Sequence, residues 1–463
     1  MRLFLFKIYF GLPYLPFFLR ARRENLKKNR TETYFKNALL IFIFCFFLQI
    51  SVAQTIKQCK QRFDTYLNFK GSLNNLVTFE NDAIYINDSK GKKEFAVYSH
   101  ELEMLAEFFE NNPLKQQEQL LKLKGAKKYT RRQRDSLYIY IDDTKKLPKQ
   151  KKLKPLQGYR VAIDPGHYST NLTDAQIEQK YLYFVKDSIK NPLDTIKLFE
   201  SVLTFNTAQL VKAMLEEQGA TVFLTRNQNN LTSFNCTYTT WLKLHKERML
   251  DSLKNNALLP VDRYNKLVKL NNYKLFWEFF RDFDLTNRAK LINQFNPHAT
   301  IIIHYNVDEK NAPWIKPTNK NFTMTFIGGA FTESNFDKPE TKIHFLRLLL
   351  TKQLNQSEKL AAQTVLNFNK NLNVEIAGQF DADYLKDNCL LTQSKGVFAR
   401  NLILCRVINS PLVYGEALYQ DNIKECEALM KLDKTVNNIK TNERIYNVAK
   451  SYYDAVFIFL KSL

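Results

Sequence analysis

The stretch VAIDPGHYSTN (residues 161–171) runs apolar for three residues, breaks on Asp164-Pro165-Gly166 and then presents His167. Val161, Ala162 and Ile163 read as the end of a buried strand. The turn after them follows from backbone chemistry, since Pro fixes φ and Gly admits φ > 0. His167 therefore falls at the C-terminal lip of a strand, where open α/β sheets bind ligands.

Working outward, strands and helices alternate from Gly158 onward. SVLTFNTAQLVKAMLEEQG (201–219) is an amphipathic helix closed by Gly219, and ATVFLTR (220–226) is the next strand. LTNRAKLINQFNP (285–297) is a helix stopped by Pro297, and ATIIIHYN (299–306) is a fully apolar strand. QSEKLAAQTVLNFNKNLN (356–373) is helical, residues 402–418 contain a strand, and 442–463 close with a helix. Such alternation predicts an α/β fold, a mainly parallel twisted sheet with helices on both faces. Residues 227–284 break the pattern; long, aromatic and helix-like, they read as a helical insertion beside the sheet.

Upstream, residues 54–157 form a candidate accessory α+β domain. NLVTFENDAIYIND (75–88) and SLYIYIDD (136–143) alternate like strands, SHELEMLAEFFENN (99–112) has helical spacing, and the basic, Pro-containing 144–157 reads as a linker. Residues 1–53 have a secretory layout: a basic segment (20–30), a short apolar run (38–50), and Ser51 and Ala53 placed for cleavage after Ala53. They are read as a cleaved signal peptide, with an uncleaved membrane anchor as the alternative. The expected location is the periplasm or cell envelope.

The 463 residues carry a net charge of +22, nine Lys/Arg against two Glu of it within 1–53. A basic surface suits an acidic polymer: nucleic acid, an anionic membrane or a carboxylate-rich wall. The abundance of Lys and Asn across the chain weakens that signal. Cys59, Cys236, Cys389, Cys405 and Cys426 have no CxxC spacing, so they read as scattered thiols, with room for one bridge within 389–426.

Of six histidines, His167 and His304 share one setting, the end of an apolar strand. Either alone is more often a satisfied core or surface residue; two at one sheet edge raise the case for metal. Glu416, directly after the apolar run of SPLVYGEAL, is an unusual place for a carboxylate, unless it starts a helix or sits in a solvated loop. His245, His298 and His344 read as ordinary surface or packing residues, and the aromatics of FWEFFRDF (276–283) as core.

Together these segments resemble the zinc-dependent N-acetylmuramoyl-L-alanine amidases that cleave bacterial peptidoglycan. The resemblance spans about 158–463 and is carried by five short motifs in order. Asp-Pro-Gly-His stands at 164–167, and Glu200 opens a helix leading through Ala208 and Gly219 to Thr225-Arg226. Arg288 and Asn293 precede IIIHYN with His304 and Asn306, and Pro411 and Glu416 are followed by Asn422. It implies a phosphorylase/hydrolase-like amidase fold, with Zn2+ held by His167, Glu200 and His304 and one position left for water. Glu416 would be the general base that later protonates the departing amine. The implied bond joins the lactyl group of N-acetylmuramic acid to the first L-Ala of the stem peptide. Peptidoglycan is then the expected partner rather than nucleic acid, and membrane contact is confined to the N-terminal segment. Arg226 and Arg288 are expected to fix loops, with stem-peptide binding as the lesser role, and Asn306 to orient the His304 loop.

Three features depart from the family pattern. Tyr168-Ser169 replaces the usual Gly-Gly, 168–199 is longer than usual, and 227–284 and 331–352 are extended. The longer segment makes Glu178 a competitor to Glu200 as ligand; Glu200 is preferred because everything from it to Arg226 fits without gaps. The extensions leave room for a gating segment or a protein activator. Two alternatives stay open: a zinc hydrolase acting on another amide or peptide, and a catalytically weak wall-binding scaffold.

Overall fold

The structure, a computed structural model, describes residues 55–128, 153–187, 191–311 and 316–463. The expected signal or anchor (1–53), the 136–143 strand and most of the 144–157 linker lie outside the described residues. Thr55–Leu463 form one compact unit.

It begins with an antiparallel sheet of β1 (Val77–Phe79), β2 (Ala83–Asn87) and β3 (Lys93–Tyr98), followed by helices Leu102–Asn111 and Leu114–Lys124. β4 (Arg160–Pro165) opens the main sheet. A hairpin of β5 (Tyr181–Asp187) and β6 (Asn191–Phe199) then occupies the long segment before Glu200. The remaining strands of the main sheet are β7 (Thr221–Leu224), β8 (Ala299–Asn306), β9 (Phe322–Gly328), β10 (Glu375–Ile376), β11 (Cys389–Leu391), β12 (Val397–Arg400) and β13 (Leu412–Tyr419), and β14 (Lys434–Val436) and β15 (Ile439–Thr441) pair as a separate hairpin. Across the sheet the order is β11-β12-β9-β13-β8-β4-β7, with β10 added to β9. β13, β8, β4 and β7 run parallel, β9 is antiparallel to β13, and β11 is antiparallel to β12. This is the mainly parallel α/β sheet that the alternation predicts, with an antiparallel side.

Period-2 alternation assigns the two faces. Val161, Ile163, Ile301, Ile303 and Val413 pack with Leu203, Leu210 and Val211 of helix Glu200–Glu217 and with Val448 and Tyr452 of helix Glu443–Lys461. On the opposite face, Ala162, Ile302 and Leu412 pack with Ala289 and Ile292 of helix Arg281–Phe295 and with Leu404 and Ile408. The chain steps from β4 outward to β7 and then returns to the other side of β4 with β8. The sheet order therefore reverses between β4 and β8, the topological switch point where such sheets open a crevice.

Residues 227–284 fold into helices, among them Tyr238–Leu244, Lys246–Asn255 and Val261–Val268, around a separate core of Tyr238, Trp241, Phe276 and Phe280. The five cysteines from Cys59 onward are free thiols. No helix of the described residues is long and apolar enough to cross a membrane.

Candidate metal centre and active site

Three chain segments meet at the switch point. His167 follows β4 in a left-handed conformation (φ 60). The Gly before it is dictated by space: a Cβ on Gly166 would lie 2.2–2.6 Å from three atoms of the His304 imidazole. His304 comes from the end of β8, with its ring stacked on Tyr414 at 4.5 Å between centroids and 4° between planes. Glu200 is the first residue of its helix, where the N-terminal dipole favours a carboxylate, and it is 1% exposed. Glu200 Oε1 lies 3.0 Å from His304 Nδ1 and accepts from Tyr305 N at 3.1 Å; its Oε2 lies 3.3 Å from His167 Nε2 and accepts from Gln420 Nε2 at 3.1 Å.

One ligand atom from each of His167, Glu200 and His304 lies within 4.8 Å of the others. Two imidazoles and one carboxylate, largely buried and convergent, form a donor set suited to zinc with a position to spare. Glu416 stands beside them. It pairs with His304 in the parallel β8–β13 register, and alternation places both on the face that carries Tyr414. The preceding Gly415 is again required by space, since a Cβ there would meet the Tyr452 hydroxyl at 2.2 Å. Glu416 Oε2 is buried and has no hydrogen-bond partner among the described residues.

The electrostatics divide these groups. Burial opposes charge on His167, but Glu200 and Glu178 outweigh it and hold its pKa up at about 9. Burial pushes His304 down to about 4. Glu200 resists its burial through His167 and stays well below the usual carboxylate range. Glu416, raised by burial and by the Glu200 charge, sits at about 8. Two neighbouring carboxylates thus have opposite protonation preferences, the pattern expected of an acid–base group beside a ligand.

Glu178 meets the other side of His167: its Oε1 lies 2.9 Å from Nδ1, and its Oε2 accepts from Ser169 N at 3.0 Å and Tyr168 N at 3.3 Å. The structure therefore places both candidate glutamates on His167, at different nitrogens. Arg226 donates to the carbonyls of Pro165 (3.2 Å) and Gly166 (3.0 Å). Arg288 donates to Asp284 at 2.8 Å and to the Pro165 carbonyl at 3.2 Å, and it lies 3.5 Å from Asp164. Both guanidiniums are turned into the loop beneath His167. Asn306 donates to the Tyr384 hydroxyl at 2.9 Å and accepts from Val307 N at 2.9 Å. Gln420 and Tyr414, which hold Glu200 and His304, were not legible as site residues. Four residues past Glu416 and two before it, they carry no signal except proximity to the Glu416 strand.

A family model described as N-acetylmuramoyl-L-alanine amidase matches residues 161–448. No curated protein matches the chain. Solved structures similar to it include the CwlD amidase of Clostridioides difficile in complex with the GerS lipoprotein, at 17% identity and TM-score 0.35, covering 66% of this chain and 100% of that one. The amidase Ami1 of Mycobacterium smegmatis matches at 13% identity and TM-score 0.36, covering 66% of this chain and 99% of that one. The catalytic domain of the amidase CwlV of Bacillus (Paenibacillus) polymyxa var. colistinus matches at 15% and 0.34, covering 65% and 98%.

Proposed function

The chain belongs to the N-acetylmuramoyl-L-alanine amidase family, and from that premise we propose that it is a secreted, zinc-dependent enzyme of cell-wall remodelling or daughter-cell separation. Its substrate class is the amide between N-acetylmuramic acid and L-Ala of peptidoglycan. The observation that carries the reading is the largely buried His167–Glu200–His304 cluster, with the Glu416 Oε2 that has no partner among the described residues beside it.

His167, Glu200 and His304 would hold the zinc ion. The chemistry such a metal supplies is polarisation of the scissile carbonyl and acidification of water. Glu416 Oε2 takes a proton from the attacking water as its oxygen bonds to the lactyl carbonyl carbon. The C–N bond then breaks, and the same carboxyl returns the proton to the alanine nitrogen, which leaves poorly unless protonated. A carboxyl poised near neutrality is suited to both transfers. Tyr414 stacks on the His304 ring and Gln420 donates to Glu200, while Arg226 and Arg288 hold the carbonyls of the His167 turn.

The test is purified protein incubated with sacculi. Free stem peptides beginning with L-Ala are expected by mass spectrometry, with release stopped by a chelator and restored by zinc. Products cut at another amide would sink the substrate assignment, and turnover indifferent to chelation would sink the zinc assignment.

A further inference from the structure

We infer that Glu178 is a positioning residue of the metal centre, and that the helical insertion 227–284 is the brace that holds it in place. The inference rests on the zinc reading above and goes beyond it. Glu178 is 6% exposed and its two oxygens face three donors: His167 Nδ1, Ser169 N and Tyr168 N. Both of its oxygens are turned to the His167 loop, and it lies across the ring from the nitrogen that faces Glu200. A carboxylate there keeps the proton of the neutral imidazole on Nδ1, leaves the lone pair on Nε2 and fixes the ring plane, as outer partners of metal-bound histidines do.

What holds Glu178 comes from the insertion. Glu178 ends the short helix Leu172–Glu178. Trp277 Nε1 donates to the Ile177 carbonyl at 3.0 Å, and Thr239 Oγ1 donates to Asp174 Oδ1 at 3.1 Å. Tyr168, the residue that replaces the family glycine, is buried in the insertion's own core, 6.0 Å from Phe276 between ring centroids. The bulkier loop, the longer 168–199 segment and the insertion are therefore one device. The loop gives up the compactness of Gly-Gly, and a helix carrying a carboxylate, backed by aromatic packing, supplies the order in its place.

Zinc affinity, measured by competition with a chromophoric chelator, tests this. Glu178→Gln should bind zinc about 10–100-fold more weakly than the parent, while the metal-free variant melts within a few degrees of the metal-free parent. Trp277→Phe, which keeps the ring packing and removes one hydrogen bond, should lose about fivefold. Independently of any variant, histidine ¹⁵N spectra of the zinc-loaded parent should show His167 bound through Nε2 with Nδ1 protonated. Zinc held by Glu178→Gln within twofold of the parent, or His167 bound through Nδ1, overturns the inference alone. A parent that takes up no zinc overturns the zinc reading along with it.

Discussion

At Glu416, burial and the Glu200 charge act in the same direction and lift the carboxyl to about 8 in the metal-free protein, and a zinc cation beside it would favour the ionised form that accepts the proton. Glu416→Gln keeps the shape and removes the proton acceptor. kcat is expected to fall about 10²–10⁴-fold, with zinc content by atomic emission unchanged; a variant as active as the parent would remove Glu416 from the mechanism. His167 makes a second prediction, with its sign set by the same electrostatics. Its pKa of about 9 means that the metal-free ring is protonated at neutral pH, whereas a metal needs the neutral nitrogen. Zinc affinity should therefore rise with pH from 6 to 9, by up to about tenfold per unit for one displaced proton, and chelator competition across that range checks it. A flat profile would mean that His167 enters the site already neutral. The histidines were legible because each ends an apolar run, and Glu200 because an ordered set of short motifs surrounds it. Gln420 and Tyr414 were not, because their roles depend on which strand lies beside which, and that is set by tertiary pairing.

At the scale of elements, alternation on β8 and β13 delivers His304 and Glu416 to one face, so strand register sets their spacing rather than any loop. The parallel strands were legible from continuous apolar runs between helices. β9, β11 and β12 were not: they are three to seven residues long, and FTMTFIG (322–328) mixes Thr with apolar residues without a helix to frame it. The β5–β6 hairpin was read only as extra length. Beneath the His167 turn, Arg288 on helix Arg281–Phe295 is 3% exposed between Asp284 and Asp164, at 4% and 0%. Arg288→Met would leave two buried carboxylates without that counter-charge, and removing one partner of a buried pair costs about 3–5 kcal/mol. Denaturant unfolding of the metal-free protein should show a loss of that size. A loss under about 1 kcal/mol would mean that Arg226 or water can take over the role.

At the scale of the molecule, the first segment is where sequence and structure draw different lines. A composition break at 144–157 suggests an accessory unit joined by a linker, yet Thr55–Leu463 form one compact body. The reason lies in residues 62–69. Arg62 Nε donates to the Leu349 carbonyl at 2.8 Å, Ala330 N and Phe331 N donate to the Tyr66 and Leu67 carbonyls at 2.7 and 2.8 Å, and Phe69 N donates back to the Phe331 carbonyl at 3.1 Å. Phe63, Tyr66 and Leu67 are buried in the same core as Phe331, Phe345 and Leu348. Such contacts join segments about 260–290 residues apart, and no local pattern announces them. A chain beginning at residue 153 would therefore expose that core: each large apolar side chain withdrawn removes about 1.5–3 kcal/mol, so the three together remove about 4.5–9 kcal/mol. In calorimetry, residues 55–463 should melt in one transition, and the shortened chain should melt well below it or elute as aggregate. Two separable transitions in the longer chain, or an unchanged melting temperature in the shorter one, would make residues 55–128 an independent domain. The distinction bears on the active site as well, because Leu349 and Phe345 lie on the helix Pro339–Leu350, whose Arg347 donates to the Ile408 carbonyl at 3.0 Å just ahead of the strand that carries Glu416.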